Sequence, residues 1–216
     1  LIVVFSFGWV IYRLPLLRSR NDFESWISRE AAFLLNNWIL LFSAFFILFA
    51  TLFPTLSEAV TGQRITVGPP FFNTWMVPIG LSLLFLTGIG PLLAWRKSTP
   101  SNLIYQFAWP VALALTTAVG LYAVGFRVWV SGLCFALCAF VLGTIGQEFV
   151  RGAYVRREAT ETDLLTSMVG LVMRSRRRYG GYIVHVGIVL MFLGFSGAGY
   201  KLERQALMSP GESVEV

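Results

Sequence analysis

The stretch at residues 176–200, RRRYGGYIVHVGIVLMFLGFSGAGY, passes from three consecutive arginines into a long apolar run. That run carries His185, the one histidine of the 216-residue chain. Whether it lies in lipid or in a water-soluble core decides the fold. With 56% hydrophobic residues, 13% charged and a mean hydropathy of +0.70, the chain has too little polar surface to cover a soluble globule of its size. The apolar part, 181–199, is about the ~20 residues that a spanning helix requires.

Four more blocks of similar length lie upstream, at 35–55, 73–95, 103–124 and 128–146. The sequence therefore predicts an all-α polytopic transmembrane helical bundle with five full spans. The opening run, LIVVFSFGWVIY at 1–12, reads as part of a sixth helix. It has no initiator Met, no positively charged leader and no small-residue cleavage site, features that argue against a signal peptide. Residues 200–216, polar and turn-rich, read as the start of an outer domain, and the whole as an internal piece of a longer protein.

Lysine and arginine fix the direction of the spans. Strict alternation puts thirteen of them on one side, in the 13–34 segment, the 96–97 turn and the 147–180 segment. Only Arg64, Arg127, Lys201 and Arg204 fall on the other. The rich side is expected to be cytoplasmic, with residues 200–216 on the opposite, outer side. The net charge of +6 is then topology, with no nucleic-acid partner implied.

The connections differ in character. Ser28 is placed to cap the first full span, with Glu30 in its first turn. Asn36 and Asn37 enter the bilayer together and should face protein. The outer loop 56–72 contains Gly68, Pro69 and Pro70, which cannot continue a helix, followed by Asn73 and Thr74 as expected caps of the next one. Such a rigid turn either docks a partner or is simply a well-made connection. Within 147–180, Leu164, Leu165, Met168, Leu171 and Val172 recur at helical spacing ahead of arginines, as in an amphipathic helix at a headgroup boundary.

Chemistry-bearing motifs are sparse. Cys134 and Cys138 share a helix face but lack metal, redox or haem-attachment spacing, and read as small apolar core residues. The blocks 73–95, 103–124, 128–146 and 181–199 contain no Asp, Glu, Lys or Arg, which weakens an ion-coupled carrier. His185 lies ~10 Å along the helix axis beyond Arg178, inside the hydrocarbon. It needs a partner there: a hydroxyl or carbonyl of another helix, a second titratable group, or a metal such as haem iron. Gly180, Gly181, Gly187 and Gly194 reduce the bulk around it, which suits a flat macrocycle or a closely packed helix equally.

Three runs carry a resemblance. SREAAFLLNNWILLFSAFFILFATLFPTLSEAVTG at 28–62, ITVGPPFFNTWMVPIGLSLLFLTGIGPLLAW at 65–95 and RRYGGYIVHVGIVLMFLGFSG at 177–197 resemble, in order and spacing, the C-terminal half of the CcmF family. These are haem lyase subunits of the bacterial cytochrome c maturation system. The resemblance implies a multi-pass protein of the bacterial inner membrane, with residues 200–216 periplasmic, that takes haem from the chaperone CcmE and joins it to the CxxCH thiols of apocytochrome c, alongside CcmH-type and CcmI-type thiol-handling subunits. It further implies that His185 is one axial ligand of a resident haem b, which passes electrons, with quinol as a source, to the haem being attached. The family's tryptophan-rich outer motif, its outer histidines and the other b-haem ligand do not occur in this chain. The stretch by itself is therefore expected to be inactive. A rival reading is a non-enzymatic scaffold or carrier subunit in which His185 only bonds between helices.

Overall fold

A backbone in lipid has no water to satisfy its N–H and C=O groups, so apolar blocks of bilayer length fold as helices. The structure is a computed structural model that describes residues 2–17, 25–93 and 99–197. Among these residues the chain forms seven helices and no strand. They are α1 (Ile2–Leu17), α2 (Arg29–Thr61), α3 (Pro69–Leu92), α4 (Pro100–Ala123), α5 (Trp129–Thr160), α6 (Leu164–Arg174) and α7 (Arg176–Ser196). Five of them, α2, α3, α4, α5 and α7, are long and apolar enough to cross a membrane. The protein is an all-α, multi-pass membrane bundle, as its hydropathy predicts. The expected outer segment 200–216 lies outside the described residues.

One helix organises the rest. α5 packs against α3, α4, α6 and α7, while α2 joins through α3. Half of the most apolar window of α5 is buried, against 11% for α2 and α4. The core includes Leu84 from α3, Cys134, Cys138, Phe140 and Val141 from α5, and Tyr182 and Val189 from α7. Both cysteines are free and buried there, each thiol donating to a carbonyl of α7, Cys134 to Phe192 at 3.8 Å and Cys138 to Val189 at 3.9 Å. Ser131 adds a hydroxyl bond to the Ser196 carbonyl at 3.0 Å. Their reading as core residues is correct, and the small side chains let α5 and α7 approach closely.

Several boundaries differ from the sequence reading, each for a local reason. Ser28 does cap α2, its hydroxyl accepting from the Ala31 N–H at 3.1 Å, with Glu30 in the first turn. That helix then runs 33 residues, roughly 50 Å and well beyond the ~30 Å hydrocarbon. It stops where Gly62 takes φ +72°, a left-handed cap that glycine adopts at little cost. The irregular part of the outer turn is therefore 62–68, shorter than 56–72. Pro69 and Pro70 do not hold off the next helix. They open it at its first two positions, where a missing N–H costs nothing, and Gly68 is the N-cap. Asn73 and Thr74 are thus inside α3, and neither caps it.

On the arginine-rich side, α5 continues to Thr160 and turns at Glu161, which has φ +51°. The amphipathic helix is present as α6, capped by the Asp163 carboxylate accepting from the Thr166 N–H. Of the apolar positions at helical spacing, Leu171 and Val172 pack against the core and Met168 is half-buried, with Ser167 buried beside them, whereas Leu164 and Leu165 remain exposed.

Close helix contact is set by residues without side chains. A Cβ built on Gly88 of α3 would lie 2.5 Å from Phe140 Cε1. Phe140 cannot swing away readily, because it is 3% exposed and lies between Phe85 and Phe107. Replacing Gly88 by Val is expected to cost about 1–3 kcal/mol through overpacking. Gly120→Val, at a site with no atom within 4 Å, should cost less. Thermal unfolding of the two purified variants in detergent checks the order.

Candidate functional site

α7 begins with its arginines at one end of the bundle and sinks His185 into the interior from there. The helix rotation that buries Tyr182 and Val189 in the core leaves His185 on the flank, turned toward α2 and α3. It borders a cavity of about 540 Å³ whose polar lining includes Arg29 and Asn36 of α2, Thr87 of α3 and Arg178 of α7. The imidazole is half-buried, and its Nδ1 is shielded from solvent without a hydrogen-bond partner. Gly181, one turn earlier, borders the same cavity, and a Cβ on it would meet no atom within 4 Å. The same openness holds at Gly180, Gly187 and Gly194.

Asn36 was expected to face protein, and it does so by lining this cavity. Asn37, one residue further and about 100° around the helix, is exposed on α2. Arg29 closes the cavity at the arginine-rich end. Its Nε donates to the Gly90 carbonyl at 2.9 Å and its Nη2 to the Pro91 carbonyl at 2.8 Å. These are orphan carbonyls at the C-terminus of α3, and a cation also complements the negative end of that helix.

Sequence reasoning missed the neighbouring carboxylate. Glu148 follows the fourth block by two residues and reads as the start of a loop, yet α5 continues through it and buries it to 3% exposure. Arg178 Nη2 donates to its Oε2, Arg151 Nη1 to its Oε1 at 3.3 Å, and the Tyr182 hydroxyl to Oε2 at 3.4 Å. Arg178 Nε also donates to the Tyr182 hydroxyl at 3.2 Å. The i, i+3 spacing of Glu148 and Arg151 was the available signal. Among the described residues no three His, Cys, Asp or Glu side chains gather as a metal site, so His185 could supply a single ligand.

The outer-turn candidates lie elsewhere. Gly68, Pro69, Pro70 and Asn73 sit at the start of α3, whereas the His185 cavity touches its last turn, roughly 30 Å along the helix. The turn is firmly held. The Ile65 N–H donates to Ser57 Oγ at 3.0 Å, and Phe71, Phe72 and Trp75 pack around Phe46 of α2. Asn73 borders a second cavity of about 550 Å³ that reaches Cys134 and Ser196.

The fold and site define a polytopic helical membrane protein with one cavity-facing histidine near its arginine-rich end. Comparison with known proteins gives this class relatives. The chain is 32% identical over 207 residues to the cytochrome c-type biogenesis protein CcmF of Pseudomonas aeruginosa, a match covering 94% of the chain and 30% of that protein. It is 33% identical to the CcmF of Pseudomonas fluorescens, with the same two coverages. Its whole length matches the cytochrome c-type biogenesis protein CycK of Rhizobium meliloti at 31% identity, covering 32% of that protein. The chain is therefore homologous to a segment of the CcmF and CycK proteins, consistent with their C-terminal half, and spans about a third of their length. No family model matches it, nor does any solved structure.

The buried carboxylate yields a directional prediction. Arg178→Ala leaves Glu148 with its weaker partners and should destabilise the protein by about 2 kcal/mol, less than a fully buried pair because the Arg178 side chain is 55% exposed. Glu148→Gln, which keeps an acceptor for Tyr182, should cost less. Thermal unfolding in detergent distinguishes the two, and the opposite order would contradict the assignment.

Proposed function

We propose that the chain is part of a membrane haem lyase for c-type cytochrome biogenesis, in the cytoplasmic membrane of a bacterium, and that His185 is one axial ligand of its resident haem b. The names of the homologous proteins support the process. What supports the ligand role is the buried, partnerless Nδ1 of His185 beside a 540 Å³ cavity. An unsatisfied buried polar atom costs about 1–3 kcal/mol, and a ligand that uses the imidazole accounts for its retention.

The residues around the cavity fit such a group. Ala32 and Leu86 offer apolar walls, Gly181 leaves room for a flat face, and Arg29, Arg177 and Arg178 offer cations for its carboxylates. When bound, the haem supplies one-electron transfer. The chain's own part is to hold and shield it. His185 would offer one ring nitrogen to the iron, Arg29 keeps its charge at the cavity end through its two bonds to α3, and the Glu148 network fixes Arg178 and the entry of α7. The chain has no other histidine, so a second imidazole on the iron would come from outside it.

The remaining roles follow as parts of the same proposal. The whole protein takes haem from CcmE and attaches it to CxxCH thiols of apocytochrome c beside CcmH-type and CcmI-type subunits, with quinol as the electron source. The turn at Gly68, Pro69, Pro70 and Asn73 serves as a docking point on the outer face.

Haem content tests the ligand assignment. In the full-length protein His185→Ala is expected to abolish or sharply lower b-type haem by pyridine haemochrome assay, whereas Cys134→Ala leaves it intact. Unchanged haem in the histidine variant would refute the assignment.

A further inference from the structure

Three separate segments bring arginines to one place. A cavity of about 700 Å³ at the arginine-rich end is lined by Arg29 from α2, Arg151 and Arg156 from α5, and Arg174 and Arg178 from the α6–α7 corner. Its one carboxylate, Glu148, is already engaged by Arg151 and Arg178. Arg29 is held by the α3 carbonyls, which carry no formal charge. The side chains of Arg156 and Arg174 have no hydrogen-bond or ion-pair partner among the described residues.

Among the described residues, five cations against one anion in a shared cavity is an electrostatic excess that these residues do not neutralise. The site is also shaped around a cation. Arg156 is half-buried, its guanidinium lying against Gly170 of α6, where a Cβ would lie 2.6 Å from its Nη2, so a larger residue there would move this flexible guanidinium from its present place. Asn102 and Gln106 of α4 add uncharged polar groups to the lining. Guanidinium forks match oxyanions, and an anion with three or more oxygens can take donors from several at once.

We propose that this cavity binds a phosphate-bearing anion, with Arg156 and Arg174 as its principal donors. Two sources carry that chemistry, the headgroup of an anionic phospholipid and a free phosphate or phosphate ester. The inference is independent of the haem reading, because neither Arg156 nor Arg174 borders the His185 cavity.

The test uses the full-length membrane protein. In one arm, nanodiscs of phosphatidylcholine receive increasing phosphatidylglycerol. In the other, detergent-solubilised protein receives inorganic phosphate against chloride at matched ionic strength. The thermal unfolding midpoint is read in both. At least one probe should raise it saturably, and the double variant Arg156→Gln with Arg174→Gln should weaken the apparent affinity at least tenfold. The double variant Arg157→Gln with Arg176→Gln removes the same charge from exposed positions outside the cavity and should leave the affinity unchanged. A response to phosphate identifies a soluble ligand and one to phosphatidylglycerol alone a lipid headgroup; either upholds the proposal. Failure of both probes, or equal losses in the two double variants, overturns it in favour of diffuse surface attraction. Should the first double variant not fold, Gly170→Val decides instead, since it displaces the Arg156 guanidinium and should weaken binding while charge is conserved.

Discussion

The arrangement of the bundle depends on one buried carboxylate. Glu148 lies where α5 leaves the apolar layer, almost fully enclosed, and a carboxylate there is tolerated only with cations and donors around it. Arg178 and Tyr182, one turn apart at the start of α7, supply them. This fixes the rotation of α7 on α5, which the cysteine and serine bonds to Val189, Phe192 and Ser196 maintain along the helix. With that rotation set, His185 has no choice but to face the gap between α2, α3 and α7. The orientation of the imidazole is thus a consequence of an ion pair nearly two turns away.

Much of the architecture was legible because lipid imposes a simple rule. Uncharged blocks of about twenty residues have to be helices, and five such blocks gave five spanning helices. Helix ends were less legible. Pro69 and Pro70 read as breakers, but at the first turn of a helix the features that break an interior become neutral or favourable. Ser28 was readable because a capping hydroxyl acts locally, on the N–H three residues ahead.

The site was half legible. His185 stood out as a single polar group in an apolar run, yet the sequence could not tell which helices it faces. Asn36 and Asn37 were equivalent by composition and differ only by rotation on α2, which depends on packing against α3. Glu148 was invisible as a buried group because the hydropathy signal ends before the helix does. A charge just beyond an apolar block is usually solvated, and here the overhang of α5 is covered by α6 and α7.

Arg29 and Arg178 line both the histidine cavity and the arginine cavity. The two chambers therefore share a partition built from the same pair of guanidinium groups. Neither chamber is electrically insulated from the other. Whatever charge settles on the water-facing side changes the potential sensed by the imidazole on the membrane side, and the low local dielectric transmits that influence without any helix having to move.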